Sequence, residues 1–169
     1  MKIRAERLED LKEICAVNIA AFEQENEAIF VDRLRGIDNT LSFVAEESEQ
    51  IVGHIFFSPV TLDGKCPEEL MILGLAPLAV LPQYQRRGIG TLLIKLSLEK
   101  CTDLRYKAGV VLGSPAYYSR FGFISAKEKG LKCEYQVPDD VFMVLELQNG
   151  ALDSCHGTVK YRLEFQECT

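Results

Sequence analysis

The stretch from Pro82 to Leu96 reads PQYQRRGIGTLLIKL, and the interpretation of the whole chain starts from it. A strand-like apolar run precedes this stretch, and its two glycines follow a pair of arginines. Four apolar residues then recur at the spacing of a helix face: Ile89, Leu92, Leu93 and Leu96. A strand, a glycine turn and a helix in this order point backbone N–H groups and the positive end of a helix at an anion.

The residues of the turn favour a phosphate as that anion. Gly88 and Gly90 carry no Cβ, so a ligand can approach the backbone closely, and Arg86 and Arg87 add positive charge to an acidic chain. The turn matches neither the P-loop nor the dinucleotide-binding glycine pattern. A phosphate-bearing small molecule is therefore the expected ligand, and the alternative is an ordinary strand-to-helix turn with solvated arginines.

Composition limits the classes of protein that fit. The 169 residues include 19 basic and 25 acidic side chains, a formal net charge of −6, and 47% are hydrophobic. Such a chain is typical of a globular enzyme, and the acidic balance argues against a dedicated nucleic-acid binder. Charges crowd the first thirteen residues, and the longest uncharged run, 70–85, is too short and too rich in proline and glycine to span a membrane. We expect a cytoplasmic protein that binds no nucleic acid and no membrane.

The six cysteines are scattered at positions 15, 66, 101, 133, 155 and 168, without a C-x-x-C pair. His54 and His156 also lie far apart in the sequence. We therefore expect no metal site, and we expect all six cysteines to be reduced thiols.

Periodicity predicts one domain, 1–169, of mixed α/β class built around one sheet. Pro77 interrupts the strand that precedes the glycine turn; because proline has no N–H to donate, this strand must bulge or part from a neighbour there. The alternating segment 157–165 predicts a sheet edge suited to a homodimer. The expected strands are 2–5, 41–46, 51–61, 70–81, 108–112, one starting at 121–124, 141–147 and 159–165, and the expected helices are 8–22, 26–36, one from Ile89, and 115–120.

Two motifs together resemble the GNAT family of acyl-CoA N-acyltransferases. Gln85-x-x-Gly88-x-Gly90 matches the acetyl-CoA signature of the family, and the run from Tyr118 to Phe123, YSRFGF, supplies its tyrosine followed by a Gly-Phe pair. The segment 113–123 is similar to the YhbS-like branch. Many family members place an asparagine on the strand before this tyrosine helix, but the run Leu112-Gly113-Ser114-Pro115 occupies that region here, so no asparagine contact is expected.

The resemblance implies the GNAT fold: a central, mostly antiparallel sheet, splayed at the cofactor site and flanked by helices. It also implies acetyl-CoA as co-substrate. The strand residues Leu78, Ala79 and Val80 would hold the arm and the thioester carbonyl. The pyrophosphate would lie on the loop formed by Gln85, Arg86, Arg87, Gly88, Ile89, Gly90 and Thr91.

The resemblance further implies direct attack of a bound amine on the thioester. Tyr118 matches the general acid of the family, with a role in core packing as its alternative. Glu27 shares a helix face with Phe30 and Val31; it serves either as the general base or as an acidic residue of the first helical turn. His54 is either part of a proton relay or a core residue, and a water chain would replace both.

The sequence thus predicts an acetyl-CoA-dependent N-acetyltransferase that acts on a small-molecule or peptide primary amine in a ternary complex. The alternative is a non-catalytic acyl-CoA-binding regulatory module.

Overall fold

The computed structural model describes residues 1–66 and 71–167. Contacts within the chain group into two compact units. The first unit comprises 1–58, 75–97 and the C-terminal segment from 163, and the second comprises 59–74 and 98–162. The prediction of a single domain stays a prediction.

The described residues form strands and helices in mixed order. The strands are β1 (Lys2–Ala5), β2 (Leu41–Glu47), β3 (Gln50–Lys65), β4 (Ile72–Val80), β5 (Ala108–Leu112), β6 (Ile124–Ser125), β7 (Leu131–Cys133), β8 (Phe142–Glu146) and β9 (His156–Lys160). The helices are α1 (Leu11–Phe22), α2 (Asn26–Leu34), α3 (Ile89–Asp103), α4 (Pro115–Tyr118) and α5 (Leu163–Glu167). Helices and strands both occur along the chain, and this confirms the predicted mixed α/β class. The strand pairings are mostly antiparallel.

In the first unit, β2 pairs antiparallel with β1 on one side and with β3 on the other. The β2–β3 hairpin turns at Ser48 and Glu49, which both have positive φ, as a tight two-residue hairpin turn requires. Helix α2 buries Phe30, Val31 and Leu34 against Phe56 of β3. The apolar face predicted for this helix is therefore its packing face.

Strand β4 continues through Pro77, and its parallel pairing with β5 covers only Ile72 to Gly74. In the first unit β4 lies next to β3, and the Leu81 N–H at its end donates to the Val52 carbonyl at 2.9 Å. Within the described ranges, no strand pairs with the other edge of β4 from Leu75 onward. The prediction that the strand parts from a neighbour near the proline is confirmed.

In the second unit, β8 pairs antiparallel with β5 and β6. The end of β3 pairs antiparallel with β9, which also pairs in parallel with β7. Because β9 has a neighbour on both sides, the prediction that this segment is a free sheet edge is wrong. One apolar cluster fills the unit, with Val110, Phe142, Val144 and Val159 among its buried residues.

The predicted strand 159–165 is also wrong beyond Lys160. Lys160 pairs with Thr61 of β3, and two residues further along that strand stands Pro59, which has no N–H to offer. The chain leaves the sheet there and forms α5. Phe165 then packs edge-on against Phe30 at 5.4 Å between ring centroids.

The expectation of six reduced thiols is wrong for two of them, because Cys66 and Cys155 form a disulfide. They are 89 residues apart in sequence, and the β3–β9 register that pairs Lys65 with His156 makes them neighbours. Cys15, Cys101 and Cys133 are free thiols, and Cys168 lies outside the described residues.

Candidate active site

The glycine loop connects the end of β4 to the start of α3. Pro82–Tyr84 form a single tight turn in which the Tyr84 N–H donates to the Leu81 carbonyl at 2.8 Å. The side-chain amide of Gln85 donates to the Val80 carbonyl at 3.0 Å. Gln85 therefore ties the loop back to the end of the strand.

Two residues of the loop have left-handed backbone conformations: Arg86 has a φ of 63° and Gly88 a φ of 82°. The helical hydrogen-bond ladder begins where the Leu92 N–H donates to the Gly88 carbonyl at 3.0 Å. The N–H groups of Ile89, Gly90 and Thr91 thus belong to the first turn of α3, whose amides point out along the helix axis. A Cβ built on Gly88 would meet no atom within 4 Å. The geometry is that of an anion cradle that opens to solvent.

Positive side chains accompany the cradle. Arg86 and Arg87 are both exposed, and the guanidinium carbon of Arg87 lies 5.1 Å from the centroid of the Tyr84 ring. This cation–π contact holds one of the two charges beside the loop.

The close approach of α3 to the sheet fixes the loop. Ile89 is buried, and a Cβ on Gly53 of β3 would lie 3.0 Å from Leu93 and 3.1 Å from Ile89. Gly53 therefore leaves the space into which the first turn of α3 packs. Gly53 is not among the residues predicted from the sequence, although a glycine inside an apolar strand is a signal that could have indicated it.

The three predicted strand residues alternate along β4. Ala79 is buried, whereas Leu78 and Val80 are partly exposed. They lie on the part of β4 whose outer edge has no strand partner among the residues described. An extended pantetheine arm fits such an edge, because it can accept and donate backbone hydrogen bonds as an added strand does.

Tyr118 ends the short helix α4 in the second unit. Its N–H donates to the Ser114 carbonyl at 3.0 Å, and its ring lies edge-on to Tyr117 and Phe123, with centroids 5.1 and 5.7 Å away. Burial, followed by the neighbouring Tyr117, raises the pKa of Tyr118 to about 12. The hydroxyl is therefore protonated at neutral pH, the state that a proton donor needs.

Glu27 lies in the first turn of α2 and is partly exposed. The side-chain amide of Gln24 donates to both of its carboxylate oxygens, at 2.9 and 3.1 Å. Its position serves the start of the helix, and the carboxylate remains reachable from solvent. Its role as general base stays a prediction.

His54 is fully buried within the first unit. The Asn18 amide donates to its Nδ1 at 3.0 Å, so Nε2 carries the ring proton and donates to the Ser42 hydroxyl at 2.9 Å. Ser42 in turn donates to Glu6 at 2.7 Å. Burial lowers the pKa of His54 to about 3, although the Glu6 carboxylate acts in the opposite direction. The ring is thus a neutral member of a buried chain of hydrogen bonds.

Among the residues that the structure describes, no group of His, Cys, Asp or Glu side chains could hold a metal ion. In the same part of the chain, no helix is long and apolar enough to cross a bilayer.

A mixed, mostly antiparallel sheet with a glycine loop between a strand end and a helix N-terminus defines the class of acyl-CoA-dependent N-acyltransferases. The chain belongs to the GNAT acetyltransferase family: the family model described as "Acetyltransferase (GNAT) domain" matches residues 38–125.

Relatives extend this similarity along the chain. The uncharacterized N-acetyltransferase YhbS of Escherichia coli K12 is 38% identical over 98% of both chains. The crystal structure of the E. coli YhbS in complex with CoA matches with a TM-score of 0.90, 36% identity, and coverage of 98% of this chain and 91% of that one. A GNAT acetyltransferase from Brucella melitensis in complex with acetyl-CoA matches with a TM-score of 0.78, 36% identity and coverage of 97% of both.

Proposed function

We propose that the protein is an N-acetyltransferase that transfers the acetyl group of acetyl-CoA directly to a primary amine while both substrates are bound. The observation that carries the proposal is the loop from Gln85 to Thr91, with left-handed residues at 86 and 88 and the first turn of α3 beside them. Crystal structures of the E. coli and B. melitensis relatives contain CoA and acetyl-CoA, which supports acetyl-CoA as the donor.

The chain provides two kinds of contact for the donor. The first-turn amides of α3 and the charges of Arg86 and Arg87 would hold the pyrophosphate. The free edge of β4 at Leu78, Ala79 and Val80 would hold the pantetheine arm, and the Val80 N–H would polarise the thioester carbonyl as an oxyanion contact does. These contacts fix the donor in place, so the bound amine attacks without a covalent acetyl-enzyme.

The transfer requires a proton at the departing sulfur and the loss of protons from the amine nitrogen. The amine nitrogen forms a bond to the acetyl carbon, and the bond from that carbon to the CoA sulfur breaks. Tyr118 gives its phenolic proton to the departing sulfur, because burial has kept its hydroxyl protonated. The nitrogen releases its second proton to water as the amide forms, and water returns a proton to the tyrosine.

The amine must also lose a proton, because an alkylammonium with a pKa of about 10.4 is almost fully charged at neutral pH. Glu27 takes that proton, directly or through water, since its carboxylate is accessible from solvent. His54 is neutral and buried, so its part in a proton relay is limited to holding Ser42 and Glu6 in place.

We expect the acceptor to be a small molecule or peptide with a primary amine, and the reaction to occur in the cytoplasm. The net charge of −6 favours a cationic acceptor over an anionic one. We also propose that the protein forms a homodimer, but β9 does not provide the pairing edge because it has strand partners on both sides.

The test is an acceptor panel incubated with the purified protein and acetyl-CoA: spermidine, L-lysine, an aminoglycoside, and a peptide with a free N-terminus. We expect one amine class to give CoA release together with the acetylated amine, identified by mass spectrometry. The Gly88→Val variant, which should not hold the donor, is the negative control. Binding of acetyl-CoA without acetylation of any amine would contradict the proposal and support the non-catalytic module instead.

A further inference from the structure

Gly113 lies between β5 and α4, and its N–H donates to the Val141 carbonyl at 3.0 Å. Its φ is outside the left-handed region, so the backbone does not require glycine. Space does. A Cβ at this position would lie 2.3 Å from Cε2 and 2.8 Å from Cδ2 of the Tyr118 ring.

We propose that Gly113 is a positioning residue for acetyl transfer: the absence of its Cβ seats the Tyr118 ring and thereby sets where the phenolic hydroxyl lies. The inference rests on the proposed role of Tyr118 as general acid.

The ring has little room to yield. It is buried, with Tyr117 and Phe123 edge-on at 5.1 and 5.7 Å, and the hydrogen bond from its own N–H to Ser114 fixes the backbone at 3.0 Å. Relieving the clash to the usual separation of about 3.5–4.0 Å between carbon atoms requires the ring to move by more than about 1 Å. The hydroxyl, at the far end of the ring, moves with it.

A displacement of that size matters for a proton donor. A misplacement of about 1 Å can lower a rate about 10²-fold. Acetyl-CoA binding depends on other residues, so it should be unaffected. The inference therefore predicts a variant that binds the donor normally and turns over slowly.

The experiment compares Gly113→Ala with Gly109→Ala, using the amine that the acceptor panel identifies. Gly109 lies in β5, the strand that leads to Gly113, but its Cβ would meet only the Leu73 carbonyl oxygen, at 3.8 Å. We expect kcat to fall about 10²-fold in Gly113→Ala, with the KM for acetyl-CoA unchanged, and to stay near the wild-type value in Gly109→Ala. The ring resonances of Tyr118 should shift in the first variant only.

A double-variant cycle separates positioning from packing. Tyr118→Phe keeps the ring carbons that the new Cβ meets, so Gly113→Ala should lower Tm equally in both backgrounds. It should lower kcat only where the Tyr118 hydroxyl is present, because a residue that acts through another shows a non-additive effect.

The outcomes are distinct. Loss of kcat in Tyr118→Phe with wild-type kcat in Gly113→Ala would overturn the positioning role and leave the proposed function intact. Wild-type kcat in Tyr118→Phe would overturn the acid and the positioning role together. An equal fall in kcat in both backgrounds would show that Gly113 acts through another group. If Gly113→Ala does not fold, the comparison moves to the Tyr118→Ala background, where the new Cβ meets no ring: Gly113→Ala should leave Tm unchanged there, and a further fall in Tm would overturn the inference.

Discussion

Tyr118 and His54 are both buried, and burial shifts the pKa of each side chain in the direction that favours its neutral form. The pKa of Tyr118 rises to about 12 and that of His54 falls to about 3, because a low-dielectric surrounding disfavours phenolate and imidazolium alike. The tyrosine therefore keeps the proton that its proposed role as general acid requires. The histidine does not accept one at neutral pH, so we assign the proposed role of general base to Glu27, which is solvent-accessible.

The buried histidine gives a prediction for stability. In the unfolded chain His54 binds a proton below its ordinary pKa of 6.5, but the folded protein does not bind it until about 3. The contribution of neutral His54 to the unfolding free energy is thus fully present above pH 6.5, and it falls as the pH drops below that value. We expect this group to remove about 2 kcal/mol of unfolding free energy between about pH 8 and about pH 5, as measured by urea unfolding.

His54→Gln should flatten that pH dependence, because glutamine can still hydrogen-bond but does not titrate. His156→Gln, at an exposed histidine, should keep the wild-type slope. Glu6 contributes little in this range: burial acts to raise its pKa, but hydrogen bonds from Arg35 and Ser42 bring it below the ordinary value. A wild-type slope in His54→Gln would contradict a neutral, buried imidazole.

At the scale of single elements, the loop before α3 provides a test with a matched control. Gly88 and Gly36 both have positive φ, 82° and 92°, and a Cβ on either would meet nothing within 4 Å. Valine at each position should therefore cost similar backbone strain, about 1–2 kcal/mol. Only at Gly88 would the new side chain stand in the anion cradle.

We expect acetyl-CoA at a hundred-fold excess over Kd to stabilise the wild type and Gly36→Val by about 2.7 kcal/mol, seen as a rise in Tm. Gly88→Val should show no rise. A folded Gly88→Val protein with the wild-type rise would mean that the loop does not hold the donor.

The same elements show what the sequence could predict. The loop and α3 follow from local signals, because glycines, arginines and helix-spaced leucines adjoin in the chain. The end of β9 does not, because it depends on Pro59 in a partner strand about a hundred residues earlier. The sequence motif indicates Tyr118 as a site residue. The requirement for glycine at position 113 appears only when the position of the Tyr118 ring is known.

At the scale of the whole molecule, long-range pairing decides what local patterns cannot. The Cys66–Cys155 disulfide joins residues 89 positions apart and follows from the β3–β9 register. Glu27 and His54 were candidates from their helix and strand faces. In the structure Glu27 accepts a hydrogen bond from Gln24, which is close in sequence. His54 is hydrogen-bonded to Asn18 and Ser42, and no spacing in the sequence indicates either of these contacts.

The proposed reaction is the direct transfer of an acetyl group between two substrates held together on this chain. Initial rates measured against acetyl-CoA at several fixed amine concentrations test it most directly. We expect double-reciprocal lines that intersect, because both substrates must be bound before the nitrogen attacks the thioester. Parallel lines would indicate that CoA leaves before the amine binds, which requires a covalent acetyl-enzyme and would rule out direct transfer.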